Sequence, residues 1–182
     1  SYTNRLFVVS DSPLDIHNFR AHDGRVTPYA KSNYEHSDIR VWLNDEFYYK
    51  AFSDLERKFI GLTLVNNDAE TTRDPDNQYT CNNTYDRVFL LSYQDVVKNV
   101  NNGFPEDWYQ TSVARKKIPN DYLKVRGQTD IEGIKWWTRS PYNSANISFV
   151  NYDGSLMSSG YPAQGSFDSS FCVLPALVLK FG

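Results

Sequence analysis

The sequence is poor in cysteine. Cys81 and Cys172 are the only two in 182 residues, with no Cys-x-x-Cys spacing and no histidine close by. That pattern argues against a zinc site, and two reduced cysteines, at least one of them buried, are expected rather than a disulfide. A long apolar run is also missing: nothing approaches the roughly 18 residues of a membrane-spanning helix, so no direct membrane insertion is expected. The residues from Ser1 onward show no secretory leader pattern. Clustered basic charge is scarce as well. The net charge is -3, and Ala114-Arg115-Lys116-Lys117, the one dense group, reads as the solvated end of a helix. A phosphate-binding face needs more than that, which excludes nucleic acid as the main partner. With 40% hydrophobic and 15% aromatic residues the chain is globular and long enough for a core of ordinary size, in one domain or at most two small ones.

The most informative gap lies within residues 142–171, which hold no Lys, Arg, His, Glu or Trp. They contain eight Ser, three Tyr, three Asn, three Phe and three Gly, with Asp153 and Asp168 as the only charges. Uncharged polar stretches are often linkers, but a linker does not usually carry so many aromatics. This one also leads into the apolar run Val173-Leu174-Pro175-Ala176-Leu177-Val178-Leu179, which reads as a buried strand. A mixture of Tyr, Ser, Gly and Asn is what binding loops use, Tyr for rigid contact area and Ser and Asn for adaptable hydrogen bonds. Val150-Asn151-Tyr152-Asp153-Gly154-Ser155-Leu156 predicts strand, tight turn, strand.

Elsewhere, Arg5 to Ser10 predicts a first strand that can pair with the C-terminal one. Ser37 is the expected N-cap of a helix with Ile39, Trp42, Leu43 and Phe47 on one face. Ser53 and Glu56 form a capping box for a second helix, with Leu55, Phe59 and Ile60 as its buried stripe. Residues 66–84 form a long polar loop. Asp68, Glu70, Asp74, Asp76 and Asn77 offer calcium-type oxygens but not the spacing of an EF-hand, so a solvated acidic loop is favoured. His17, His22 and Asp23 fit no common metal pattern. Asp86 to Leu91 predicts a strand, and Ser92 with Asp95 caps a third helix through about Val100. Residues 103–133 read as irregular, with one helical turn around Trp108.

Four segments, taken together, resemble a bacterial and phage domain family of unknown function. They are Ser37-Asp38-Ile39-Arg40 with Trp42-Leu43-Asn44 and Phe47, then Asp86-Arg87-Val88-Phe89-Leu90-Leu91-Ser92, then Trp136-Trp137-Thr138-Arg139-Ser140-Pro141, and finally Pro175-Ala176-Leu177. That family looks like a member of the C-type lectin fold group, which also holds formylglycine-generating enzymes. The resemblance implies an α+β fold of C-type lectin-like type over residues 1–182, with short helices packed on small antiparallel sheets and much irregular loop. Some family members are target proteins of diversity-generating retroelements, which rewrite adenines near the 3′ end of a gene. Asn codons treated in this way yield most residue types but not Lys, Glu, Gln, Met or Trp. Residues 142–171 pass that filter except at Met157 and Gln164. Leu174 departs from the family's usual Arg.

The resemblance implies a ligand-binding receptor domain without enzymatic activity, with no cofactor and no metal. Its contact residues would be Tyr142, Asn143, Ser144, Asn146, Ser148, Asn151, Tyr152, Ser155, Ser158, Ser159, Tyr161, Ser166, Asp168 and Ser169. Trp136, Trp137 and Arg139 would be scaffold. The implied partner is a protein or glycan on another cell or virus surface, and the implied location is extracellular, on a cell or virion surface. The alternative is a lectin-like domain with one fixed carbohydrate target, although the calcium-dependent Glu-Pro-Asn signature is absent. An oxidase of the kind found in the fold group needs two cooperating cysteines, and Cys81 and Cys172 sit in unrelated contexts.

Overall fold

The computed structural model describes residues 4–21, 23–24, 27–97, 112–130, 132–164 and 171–181. The chain begins with strands β1 (Asn4–Val9) and β2 (Asp15–Ile16). Next come a helix that runs as α1 (Asp38–Trp42), a π-helical turn (Leu43–Phe47) and α2 (Tyr48–Ala51), and then α3 (Asp54–Arg57). Strand β3 (Thr63–Val65), a 3-10 turn (Ala69–Thr71), β4 (Thr84–Asp86), β5 (Val88–Leu90) and α4 (Tyr93–Val97) follow. Short helices α5 (Ser112–Arg115) and α6 (Asp121–Val125) precede five strands: β6 (Lys135–Pro141), β7 (Asn146–Val150), β8 (Leu156–Pro162), β9 (Phe171–Val173) and β10 (Pro175–Phe181). Short helices and several small sheets make this an α+β architecture.

The predicted pairing of the two chain ends is observed. β1 lies antiparallel to β10 from Asn4 opposite Phe181 to Val9 opposite Ala176, and β5 completes the sheet in the order β1-β10-β5. A five-stranded sheet runs β2-β9-β6-β7-β8, and β3 pairs with β4. The sheets are not purely antiparallel, because β9 runs parallel to β6. The chain leaves β6 at Pro141 and comes back to pair with it as β9 only after β7 and β8, and parallel neighbours need a long connection of this kind.

Strand alternation sorts the apolar residues into two cores. Val88, Leu90, Trp137, Phe171, Val173, Leu177 and Leu179 face one, while Phe89, Leu91, Trp136, Cys172, Ala176 and Val178 face the other. A sheet covered on both faces needs a continuous apolar run rather than an alternating one, which is why the C-terminal segment reads as it does.

Ser37 caps α1 as expected, accepting from the Arg40 amide. The π-helical turn has a local cause: the Asn44 side-chain amide donates to the Arg40 carbonyl (3.1 Å) and to the Val88 carbonyl (2.9 Å). A side chain entering the helical ladder widens it, and here it also bolts the helix to β5. Arg40 adds an ion pair to Asp86 at 2.7 Å. Burial pushes the Asp86 carboxyl above its ordinary range, against the opposing pull of the Thr84 hydroxyl and Arg40.

The capping box at Ser53 and Glu56 is present, but the helix it starts is a single turn. Leu55 and Phe59 are 64% and 44% exposed, and of the expected stripe only Ile60 is buried. The chain turns extended at Ile60 to bridge to Leu179, so no second helical turn exists to carry the stripe inward. Ser92 and Asp95 cap α4 reciprocally, at 2.8 and 3.0 Å. The expected continuation of that helix to Val100, and the turn around Trp108, fall outside the described residues.

Candidate binding surface

Strand β6 is the floor of the site. Trp136 and Trp137 are buried on opposite faces, and each indole N–H reaches a backbone carbonyl, Trp136 at Arg115 (3.2 Å) and Trp137 at His17 (3.0 Å). Arg139 is buried as well. One of its guanidinium nitrogens donates to the Leu90 carbonyl (2.7 Å) and the Asp95 carboxylate (2.8 Å), the other to the Asn66 carbonyl (3.0 Å). The scaffold role expected of these three residues matches this geometry.

Register slips shape what lies above the floor. Between Trp137 opposite Phe149 and Pro141 opposite Ile147, β6 carries two residues more than β7. Between Ile147 opposite Tyr161 and Phe149 opposite Met157, β8 carries two more than β7. Both bulges fall beside Ser148. Bulges re-aim side chains, and the one in β6 frees Arg139 and Ser140 to bond away from the sheet, Ser140 to the Thr71 carbonyl at 3.1 Å. In β8, Gly160 has φ 73°, and a Cβ there would lie 2.8 Å from the Asn146 Cβ and 3.0 Å from the Tyr142 Cβ. Glycine therefore lets β8 close over the β6–β7 turn.

The segment from Pro141 onward is fastened through its carbonyls, by donors that lie outside it. The Ser32 hydroxyl donates to the Asn143 carbonyl (2.5 Å) and the Ser32 amide to that of Ser144 (3.3 Å). Asn77 reaches the Pro141 carbonyl (2.8 Å), Thr138 that of Ser148 (2.6 Å), Arg115 that of Gly154 (3.0 Å) and the Arg20 amide that of Ala163 (3.0 Å). Gly133 packs so closely on the Tyr152 carbonyl that a Cβ would sit 1.9 Å from it.

The expected contact residues separate into groups. Tyr142 (43% exposed) and Ser144 lie at the β6–β7 turn beside half-buried Asn146, while Tyr152 (47% exposed) with half-buried Asn151 and Ser155 lies at the β7–β8 turn. The four residue steps of β7, roughly 3.4 Å each, separate the two ends by about 14 Å. Ser159 is exposed on β8 between them. The side chains of Tyr142, Ser144, Asn146, Asn151, Tyr152 and Ser159 make no hydrogen bond to any described residue.

Other expected contact residues have structural duties. Asn143 accepts from the Ala145 and Asn146 amides, and Ser155 donates to Asp153, so both shape turns. Ser148 is 1% exposed between the two bulges and does not reach the surface. Tyr161 is half-buried and packs on Phe171, with ring centroids 4.7 Å apart, because the register slip in β8 turns it inward although Ser159, two residues before it, is exposed. Ser158 lies in β8, although its side chain is outside the described set, as are Ser166, Asp168 and Ser169 altogether.

A family model for a domain of unknown function, DUF6273, matches residues 4–181. The chain belongs to the DUF6273 family. No curated protein and no solved structure matches it.

The DUF6273 domain also has a polar cleft that sequence reading did not find. Tyr29, Asn33, Glu35 and His36 form one wall and Thr80, Cys81 and Asn82 the other, around about 540 Å³. The Tyr29 and His36 rings stack at 3.6 Å, and the Asn82 amide donates to both Glu35 carboxylate oxygens, at 3.0 and 3.3 Å. Its walls come from segments 47 residues apart, so no local pattern announces it. Cys81 and Cys172 are both free thiols. Burial raises the Cys81 pKa and pushes that of Cys172 up to about 12. Among the described residues, no three His, Cys, Asp or Glu side chains gather to hold a metal, and no helix is long and apolar enough to cross a membrane.

Proposed function

We propose that this DUF6273 domain is a non-catalytic receptor of C-type lectin-like fold. Its surface over residues 142–171 is diversified by a retroelement and contacts protein or glycan targets on another cell or virus, so the domain works outside the cell or on a virion. The observation that carries this reading is the carbonyl fastening. Every residue type presents the same carbonyl, so a segment held in that way keeps its shape while its side chains change. The side chains of Tyr142, Ser144, Asn146, Tyr152 and Ser159 make no hydrogen bond to any described residue, and the exposed tyrosines supply the rigid aromatic area that anchors interfaces. The raised thiol pKa values of Cys81 and Cys172 work against thiolate chemistry and thus against an oxidase. First and last strands paired, short helices and long loops are in keeping with the proposed fold.

The test is to sequence the 3′ end of the gene, with its flanking DNA, from many individuals of one population. Codons for 142–171 should vary at adenine-derived positions against a nearby invariant repeat, with those for Trp136 to Pro141 fixed. Identical copies and no repeat would reject diversification and leave a surface with one fixed target.

A further inference from the structure

We infer that the cleft between residues 29–36 and 80–82 is a second, constant subsite that binds a neutral carbohydrate. The inference rests on the ligand-binding reading above and adds a ligand class. At about 540 Å³ the cleft falls in the size range of small-molecule sites, roughly 300–1,000 Å³.

Its described lining argues against the other ligand classes in turn. Among the described residues no Lys or Arg lines it to neutralise a phosphate or carboxylate ligand. No described aliphatic side chain lines it either, so none supplies the wall that a lipid or hydrophobic ligand needs. Glu35 is the only carboxylate among the described lining residues, and its two oxygens are engaged by Asn82, a poor arrangement for capturing a free cation.

What remains suits a ring that has hydroxyls along its rim and an apolar face. Tyr29 is 46% exposed and held flat by its stack on His36, so it offers a preset aromatic surface. The bond to Glu35 fixes the orientation of Asn82, whose side-chain oxygen is left as an acceptor for a sugar hydroxyl. Asn33 is fixed as well, its side-chain oxygen accepting from the His36 amide at 3.0 Å, which leaves its NH₂ turned to other partners.

The cleft is also continuous with the proposed variable surface. Ser32, next to Asn33, holds the Asn143 and Ser144 carbonyls, and Asn77, three residues before Thr80, holds that of Pro141. A sugar in the cleft therefore lies beside the β6–β7 turn. The constant subsite takes the sugar and the variable segment reads what the sugar is attached to, two linked contacts whose affinities reinforce each other.

The experiment is an array of neutral mono- and oligosaccharides probed with the intact protein and with the variants Tyr29→Ala, Asn82→Ala and, as a control at an exposed helix position with no binding role, Val125→Ala, each checked for an unchanged melting temperature. Binding of at least one neutral glycan is expected, weakened about tenfold or more by Tyr29→Ala and by Asn82→Ala and unchanged by Val125→Ala. Asn82 is exposed, so its variant keeps the test open if Tyr29→Ala unfolds. No glycan bound, or glycan binding indifferent to both cleft variants, overturns the subsite while leaving the variable surface to stand on the sequencing result. Cleft-dependent glycan binding combined with an invariant gene upholds the subsite and rejects diversification alone.

Discussion

Residues 136–141 and 142–159 are neighbours in sequence and in the same sheet, yet they are held by opposite rules. In the first, side chains do the fastening: two indoles, a threonine, an arginine and a serine each bond to a different part of the chain. In the second, the backbone is what is held, and the donors come from Ser32, Thr138 and Arg115. The lesson is that a protein can separate what fixes a surface from what the surface displays. One region cannot change a residue without losing structure, whereas the other can change many and keep it.

The largest test of that contrast is Arg139→Met. Removing a buried cation strands Asp95 and two carbonyls, and a loss of roughly 3–5 kcal/mol is expected in chemical denaturation. A loss below about 1 kcal/mol would mean that β6 is not held by its side chains. Thr138→Val keeps the shape but orphans the Ser148 carbonyl, so about 1–3 kcal/mol should go. Exchanging Tyr142, Ser144, Tyr152 and Ser159 one at a time should move stability by no more than about 0.5 kcal/mol each, and a collective collapse of the quadruple variant would break the comparison.

The smallest effect is a slope. Because burial raises the Asp86 pKa, the folded protein holds that proton at pH values where the unfolded chain has already released it. Stability from this group therefore rises as pH falls from the raised folded value towards 3.8. The advantage of wild type over Asp86→Asn should widen across that window; a gap that narrows would show that the Arg40 pairing outweighs burial.

Much of the fold was legible because its signals are local. Ser37, the Ser53–Glu56 box and the Ser92–Asp95 pair each satisfy amides within one turn, and Asp153-Gly154 marks a tight turn, with Gly154 at φ 80°. The exposure of Leu55 and Phe59 was not legible, since a single-turn helix and a longer one open with the same capping residues. Nor were the fastenings of the candidate surface, because a carbonyl acceptor leaves no mark in a sequence. Ser148 and Tyr161 were misleading for a related reason: two register slips, set by pairing across strands, decide which way they face.

The bulge in β8 has a further consequence. β8 is the edge strand of its sheet, and a straight edge offers its free amides and carbonyls to any strand that comes near. A surface that samples many sequences would from time to time draw a sticky one. With two extra residues pushed out of register, Gly160 in a left-handed conformation and Pro162 at its end, that edge is a poor template for another copy. Under the proposed diversification, new side chains there would carry little risk of fibres, and bad draws would cost binding rather than solubility.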